Sequence, residues 1–92
     1  MAKITVRLYT TLKEKVGRGK VELEAKNVAD ALEELREQFG TKFTDQLYDP
    51  SGKIKNYYIL LLSGHTVDKE EIKKTKVKEG DILHIFPPIA GG

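Results

Sequence analysis

The sequence predicts an α+β domain in which a mixed five-stranded sheet carries one main helix across one of its faces. Two observations lead there. Runs that alternate apolar and polar residues lie towards both ends of the chain, "KITVRLY" and "KVELEA" early and "ILHIF" late. Successive side chains of an extended chain point to opposite faces, so such period-two runs read as half-buried strands. Between them, Val28 to Phe39 places apolar residues at helical spacing along one stripe. One such helix cannot cover both sides of a sheet, so it packs across one.

Taken in order, Ile4, Val6 and Leu8 alternate with Thr5, Arg7 and Tyr9 in the first strand. "TTLKEKVGRG" (residues 10–19) then turns, with Gly17 and Gly19 as breakers. In residues 20–25, Val21 and Leu23 face inward against Glu22 and Glu24, so the first two strands form a hairpin. Asn27 is placed as the helix N-cap, Asp30 sits in the first turn where the helix dipole favours an acid, and Gly40 is the stop. Val28, Ala31, Leu32, Leu35 and Phe39 make the core stripe, with Glu33, Glu34, Arg36 and Glu37 opposite. "TKFTDQLYD" adds a short second helix with Phe43 and Leu47 four apart, and "DPSG" is a turn with Pro second and Gly fourth.

"NYYILLLSG" is too short for a buried helix and is bounded by turn residues, which predicts a central strand. Its second face is either open for docking or buried as core. "HTVD" returns as a short strand across the Ser63-Gly64 turn. "KEEIKKTKVKEGD" is irregular, anchored by Ile72 and Val77, and "ILHIF" is the last strand, ended by Pro87. If the last strand lies beside the first it runs parallel to it, because the helix and the intervening strands supply the crossover that a parallel pair needs. The outcome is the ubiquitin-like β-grasp arrangement, one domain over residues 1–92 with a flexible tail at 87–92.

The composition narrows the function. Ninety-two residues bury about 60–65% of the surface their unfolded chain exposes, which makes one modest core and no deep catalytic cleft. A net charge of +2 with scattered basic residues argues against nucleic acid as a partner. The densest basic run, Lys73 to Lys78, is flanked by Glu70, Glu71 and Glu79 and reads as solvated surface. The absence of Cys removes disulfides, thiolate metal sites and a Cys nucleophile. His65 and His84 lack Cys or carboxylate neighbours at ligand spacing, so no metal site is expected. Ser51 and Ser63 sit in turns without a nucleophile motif, and Gly17 and Gly19 precede a strand rather than a helix, which rules out a phosphate cradle. By itself the chain is expected to be no enzyme. The first residues read as a strand rather than a signal peptide, and no apolar run approaches the length of a membrane span, so no membrane partner and a cytoplasmic location are expected.

The end of the sequence, "FPPIAGG", is the one segment that asks for chemistry. Pro87 and Pro88 offer no backbone N–H, so the sheet ladder cannot continue, and their fixed φ extends the chain away from the body. Gly91 and Gly92 lack a Cβ, can thread a narrow tunnel and leave a terminal carboxylate open to attack. A stiff lever with a slim tip suits a carrier whose cargo sits on its own C-terminus.

"GDILHIFPPIAGG" (Gly80 to Gly92) resembles the end of MoaD-like proteins, the small subunit of molybdopterin synthase. Their signature runs Gly-Asp, alternating apolar residues, Phe-Pro-Pro, two small or apolar residues and Gly-Gly. "ITVRLYTTLKEKVG" is similar to the family's first strand and turn, "VADALEEL" to its helix start, and "LYDPSGKIKNYYILLLSG" to a longer archaeal-type middle section. Where many relatives carry Asn-Gly after the middle strand, this chain has Ser63-Gly64.

The resemblance implies a sulfur carrier that binds no cofactor of its own. An E1-like adenylyltransferase uses ATP to adenylate Gly92, and a sulfur donor converts the adenylate to a thiocarboxylate. The tail then enters the large synthase subunit, where the sulfur passes to a pterin precursor of the molybdenum or tungsten cofactor. Phe86, Pro87, Pro88 and Ile89 would dock against partners, and Gly91 would keep the tunnel passable. An apolar surface around Phe86 and the outward side of the middle strand is the expected contact. The same tail serves two other tasks within the subgroup, conjugation to protein lysines as a ubiquitin-like modifier and sulfur supply for tRNA thiolation. A plain interaction or RNA-binding module without tail chemistry is the remaining alternative, against which the near-neutral charge speaks.

Overall fold

The computed structural model describes residues 1–87. Its elements are β1 (Ala2–Leu8), α1 (Thr10–Val16), β2 (Lys20–Ala25), α2 (Val28–Phe39), α3 (Thr41–Leu47), β3 (Ile59–Leu62), β4 (His65–Thr66) and β5 (Ile82–Phe86). The five strands form one sheet in the order β2-β1-β5-β3-β4. β1 and β2 pair antiparallel, with Ile4 opposite Leu23 and Val6 opposite Val21. β5 pairs parallel with β1, Val6 beside Leu83 and Leu8 beside Ile85, and antiparallel with β3, Leu60 opposite Ile85. This is the β-grasp arrangement, and the parallel β1–β5 pair that it demands is present.

The alternation of apolar residues decides which sheet face meets the helices. Ile4, Val6, Leu8, Val21, Leu23, Leu60, Leu83 and Ile85 all point to the helical side and are buried. They meet Val28, Ala31, Leu32 and Leu35 of α2, Phe43 and Leu47 of α3, and Leu12 of α1. Each such side chain contributes about 1.5–3 kcal/mol on burial, which is why a one-residue slip of register is not tolerated.

α2 starts where Asn27 predicts. The Asn27 side chain accepts from the Asp30 N–H at 2.7 Å, and the Lys26 N–H donates to the Asp30 carboxylate at 2.9 Å. The irregular segment completes the cap. Val28 N–H donates to the Thr75 carbonyl at 2.9 Å, Ala29 N–H to the Ile72 carbonyl at 3.1 Å, and the Asn27 amide to the Lys73 carbonyl at 3.1 Å. "KEEIKKTKVKEGD" therefore has a structural task that its polarity conceals: it satisfies the donors that a helix start leaves open.

Two expectations need correction. Residues 10–16 are a helix, not a turn: Leu12 and Val16, one turn apart, are both buried, and Gly17 closes the helix in the left-handed region at φ +87°. The N-cap, Tyr9, makes no side-chain capping bond, so the usual start signal is missing. The strand predicted over 56–64 covers only Ile59–Leu62, and β5 rather than β3 takes the centre of the sheet. Residues 56–58 turn instead, with Tyr58 buried and its N–H bonded to the Lys55 carbonyl. That burial pushes the Tyr58 hydroxyl above its ordinary pKa. The "DPSG" turn forms as read. The Asp49 carboxylate accepts from the Ser51 hydroxyl and N–H and from the Lys53 N–H, and these bonds, the hydroxyl first, hold its pKa below the usual value.

Asn27→Ala removes both the cap and the tie to Lys73, and is expected to cost about 1–2 kcal/mol in urea unfolding. A loss under about 0.3 kcal/mol would show that Asn27 does not hold the helix start.

Candidate functional site

The face of the sheet away from the helices carries no covering element among the described residues, and its side chains line up in rows. The pairing registers define them. Nearest the tail, Tyr9, Phe86 of β5 and Ile59 of β3 stand side by side, Ile59 being the direct partner of Phe86. The next row runs Lys20, Arg7, His84 and Leu61 across β2, β1, β5 and β3. The third holds Glu22, Thr5 and Ile82. Rows two residues apart along a strand are about 7 Å apart.

The row at the tail is built by stacking. The Tyr9 and Phe86 rings lie 4.5 Å apart and 13° from parallel, and His84 stacks on both at 5.8 Å. Tyr9 Oη and His84 Nδ1 are 2.7 Å apart in a hydrogen bond. The three rings thus fix one another, and Phe86 is held in place although it is only half-buried. On the same face Ile59 is 51% exposed and Ile82 39%. The middle strand is not core on both faces: Leu60 is buried and Ile59 is exposed.

The base of β5 is pinned from below by the Gly-Asp pair. Gly80 adopts φ +86°, which favours glycine. Asp81 is buried, and its carboxylate accepts from the Lys78 N–H at 2.7 Å and the Ser63 hydroxyl at 2.9 Å. The same Ser63 oxygen accepts from the Ile82 N–H at 3.2 Å. Ser63 and Asp81 are therefore a structural clasp between the β3–β4 turn and β5.

Of the residues the sequence singled out, Phe86 lies on the open face and Pro87 is buried at the root of the tail. Pro88, Ile89, Gly91 and Gly92 lie outside the described residues. Tyr9 was not singled out, because its place beside Phe86 is visible only once the β1–β5 pairing is known. Among the described residues no group of three or more potential metal ligands occurs, and no helix is long and apolar enough to cross a membrane.

Residues 6–92 match the ThiS family. Small archaeal modifier protein 1 of Haloferax volcanii superimposes with a TM-score of 0.85 at 22% identity, covering 99% of this chain and 100% of that one. The Methanosarcina acetivorans small archaeal modifier protein 1 gives 0.79 at 25% identity, over 100% and 98%. A chain from the complex of subunits 1 and 2 of the Helicobacter pylori molybdopterin-converting factor gives 0.66 at 21%, over 98% and 99%. No curated protein sequence matches.

The two faces of β3 should answer differently to truncation. Leu60→Ala is expected to cost about 2–5 kcal/mol in urea unfolding, and Ile59→Ala less than about 0.5 kcal/mol. Equal losses would contradict an open outer face.

Proposed function

The chain belongs to the ThiS family of ubiquitin-like sulfur carriers, and we propose that within it the chain serves as the small subunit of molybdopterin synthase. The observation that carries this reading is the place of Phe86, the residue at which the tail motif begins. "FPPIAGG" begins at Phe86, on the central strand, inside an exposed aromatic and apolar row. A partner seated on that row is positioned to receive the last residues in its own active site.

The chemistry needs no side chain of this protein. Resonance makes a carboxylate a poor electrophile. In the activating enzyme, a Gly92 carboxylate oxygen attacks the α-phosphorus of ATP, pyrophosphate leaves, and the acyl carbon gains AMP as leaving group. Sulfide-level sulfur from the donor then adds to that carbon and AMP departs, leaving a thiocarboxylate. In the large subunit the sulfur passes to the pterin precursor. The electrostatic stabilisation of each transition state belongs to the partners, and this chain supplies presentation: an ordered aromatic base, the Pro87-Pro88 lever and two glycines that add no width. The assembly in the Helicobacter pylori complex, which unites subunits 1 and 2 of a molybdopterin-converting factor, supports a heteromer of this kind.

A second reading has its own support. The likeness to the Methanosarcina small archaeal modifier protein spans all of this chain at 25% identity, which favours a modifier joined through Gly92 to lysines. Both readings need the same activation and differ in the acceptor.

Deleting Gly91 and Gly92 is expected to abolish ATP–pyrophosphate exchange with the E1-like enzyme while leaving the unfolding midpoint unchanged. The thiocarboxylated full chain, mixed with the large subunit and the pterin precursor, is expected to yield the sulfurated pterin. Retained function in the deletion variant would reduce the chain to an interaction module. Transfer to lysines in place of the pterin would establish the modifier.

A further inference from the structure

The second row of the open face holds an arrangement that folding alone does not favour. Arg7 and Lys20 are direct cross-strand partners on β1 and β2, both exposed and both on the outer face. Like charges placed opposite each other destabilise an antiparallel pair. The ion pairs among the described residues are Arg36 with Glu33 and Lys74 with Glu71, so neither Arg7 nor Lys20 has a carboxylate of a described residue within 4 Å, although Glu22 stands on the same face in the next row. On the other side of Arg7 the row continues with His84 rather than an acid.

The position of the pair gives it a use. Arg7 lies one row from Phe86, about 7 Å along the strands, and Lys20 lies two strands beyond β5, at about 4.8 Å per strand. A stable protein contact covers about 800 Å² on each side, a patch whose radius is about 16 Å. A partner centred on Phe86 therefore also covers Arg7 and Lys20. Burying two cations without counter-charges is costly, so the partner has to bring carboxylates there.

We propose that Arg7 and Lys20 form a charge-recognition site for the activating enzyme, which meets them with an acidic patch beside an apolar pocket for Phe86 and Ile59. This inference rests on the carrier reading in its choice of partner: adenylation precedes sulfur transfer, protein conjugation and tRNA thiolation alike, so every acceptor requires the activating enzyme to seat here first. The row sorts partners by charge, and the aromatic row behind it supplies the contact area.

The test uses the full-length chain and the E1-like adenylating enzyme of the same genome, with binding measured calorimetrically and ATP–pyrophosphate exchange measured in parallel. Arg7→Glu/Lys20→Glu is expected to weaken binding and raise the KM for the carrier about tenfold or more, with kcat within about twofold. Lys42→Glu/Lys53→Glu, on α3 and the loop after it, changes net charge equally and is expected to leave both values within about twofold. Raising salt from about 50 to about 300 mM should weaken wild-type binding, whereas for the Arg7→Glu/Lys20→Glu variant, repelled by the same acidic patch, it should leave binding unweakened or strengthen it. Lys20→Glu alone turns a like-charge pair into an opposite-charge pair, so its urea midpoint should hold or rise while its binding weakens. That combination separates a recognition site from a misfolded variant.

Equal binding by wild type and Arg7→Glu/Lys20→Glu overturns the site and leaves the carrier reading intact. Wild-type binding without exchange contradicts the carrier reading and leaves the site intact. An effect matched by Lys42→Glu/Lys53→Glu reduces the result to net charge and overturns the site.

Discussion

The parallel pairing of β1 with β5 is the constraint on which the rest of the molecule depends. It joins the two ends of the chain: Val6 and Leu8 lie beside Leu83 and Ile85 on the buried face, and Arg7 lies beside His84 on the open one. A parallel pair needs a long crossover, and α2, α3, β3 and β4 all lie within it. The clasp at Ser63 and Asp81, and the Gly80 N–H bonded to the Lys3 carbonyl at 2.9 Å, hold the start of β5 so that the register cannot drift. Because β5 is central, Phe86 and Pro87 stand at the middle of the sheet rather than at an edge. Tyr9 reaches Phe86 only through this pairing.

The sheet then divides its labour by face. The helical side is packed with aliphatic side chains and carries stability. The outer side carries the exposed Ile59 and Ile82, the Arg7–Lys20 pair and an aromatic stack in which Tyr9, His84 and Phe86 already hold one another. Side-chain ordering at an interface costs about 0.5–1.5 kcal/mol per residue, and the stack reduces that cost before any partner arrives. The like-charge pair of Arg7 and Lys20 runs the other way, since like charges directly opposite destabilise a strand pair.

Much of this was legible in the sequence. Period-two alternation gave Ile4, Val6, Val21, Leu23, Leu83 and Ile85 their inward places, and Asn27 and Gly40 marked the ends of α2. Phe43 and Leu47 announced α3. What local pattern could not convey was α1, whose start has no side-chain cap and whose Thr10 adopts φ +45°. Nor could it convey that an irregular lysine-rich segment caps α2, since those bonds come from backbone carbonyls and leave no mark on residue type. The places of Tyr9, Arg7 and Lys20 on the open face were not readable, because they depend on which strand each one faces. The Gly-Asp pair, read as a family signature, has a physical reason in the turn and clasp that begin β5.

The central claim is that the last carboxylate of the chain is its working group, and high-resolution mass spectrometry of the C-terminal peptide, from protein isolated out of its native cells, tests it most directly. The account predicts a population in which one oxygen of Gly92 is replaced by sulfur. Gly92 found only as the free carboxylate, in cells actively making the cofactor, would contradict it, and Gly92 found only in isopeptide linkage would replace the sulfur carrier with a protein modifier.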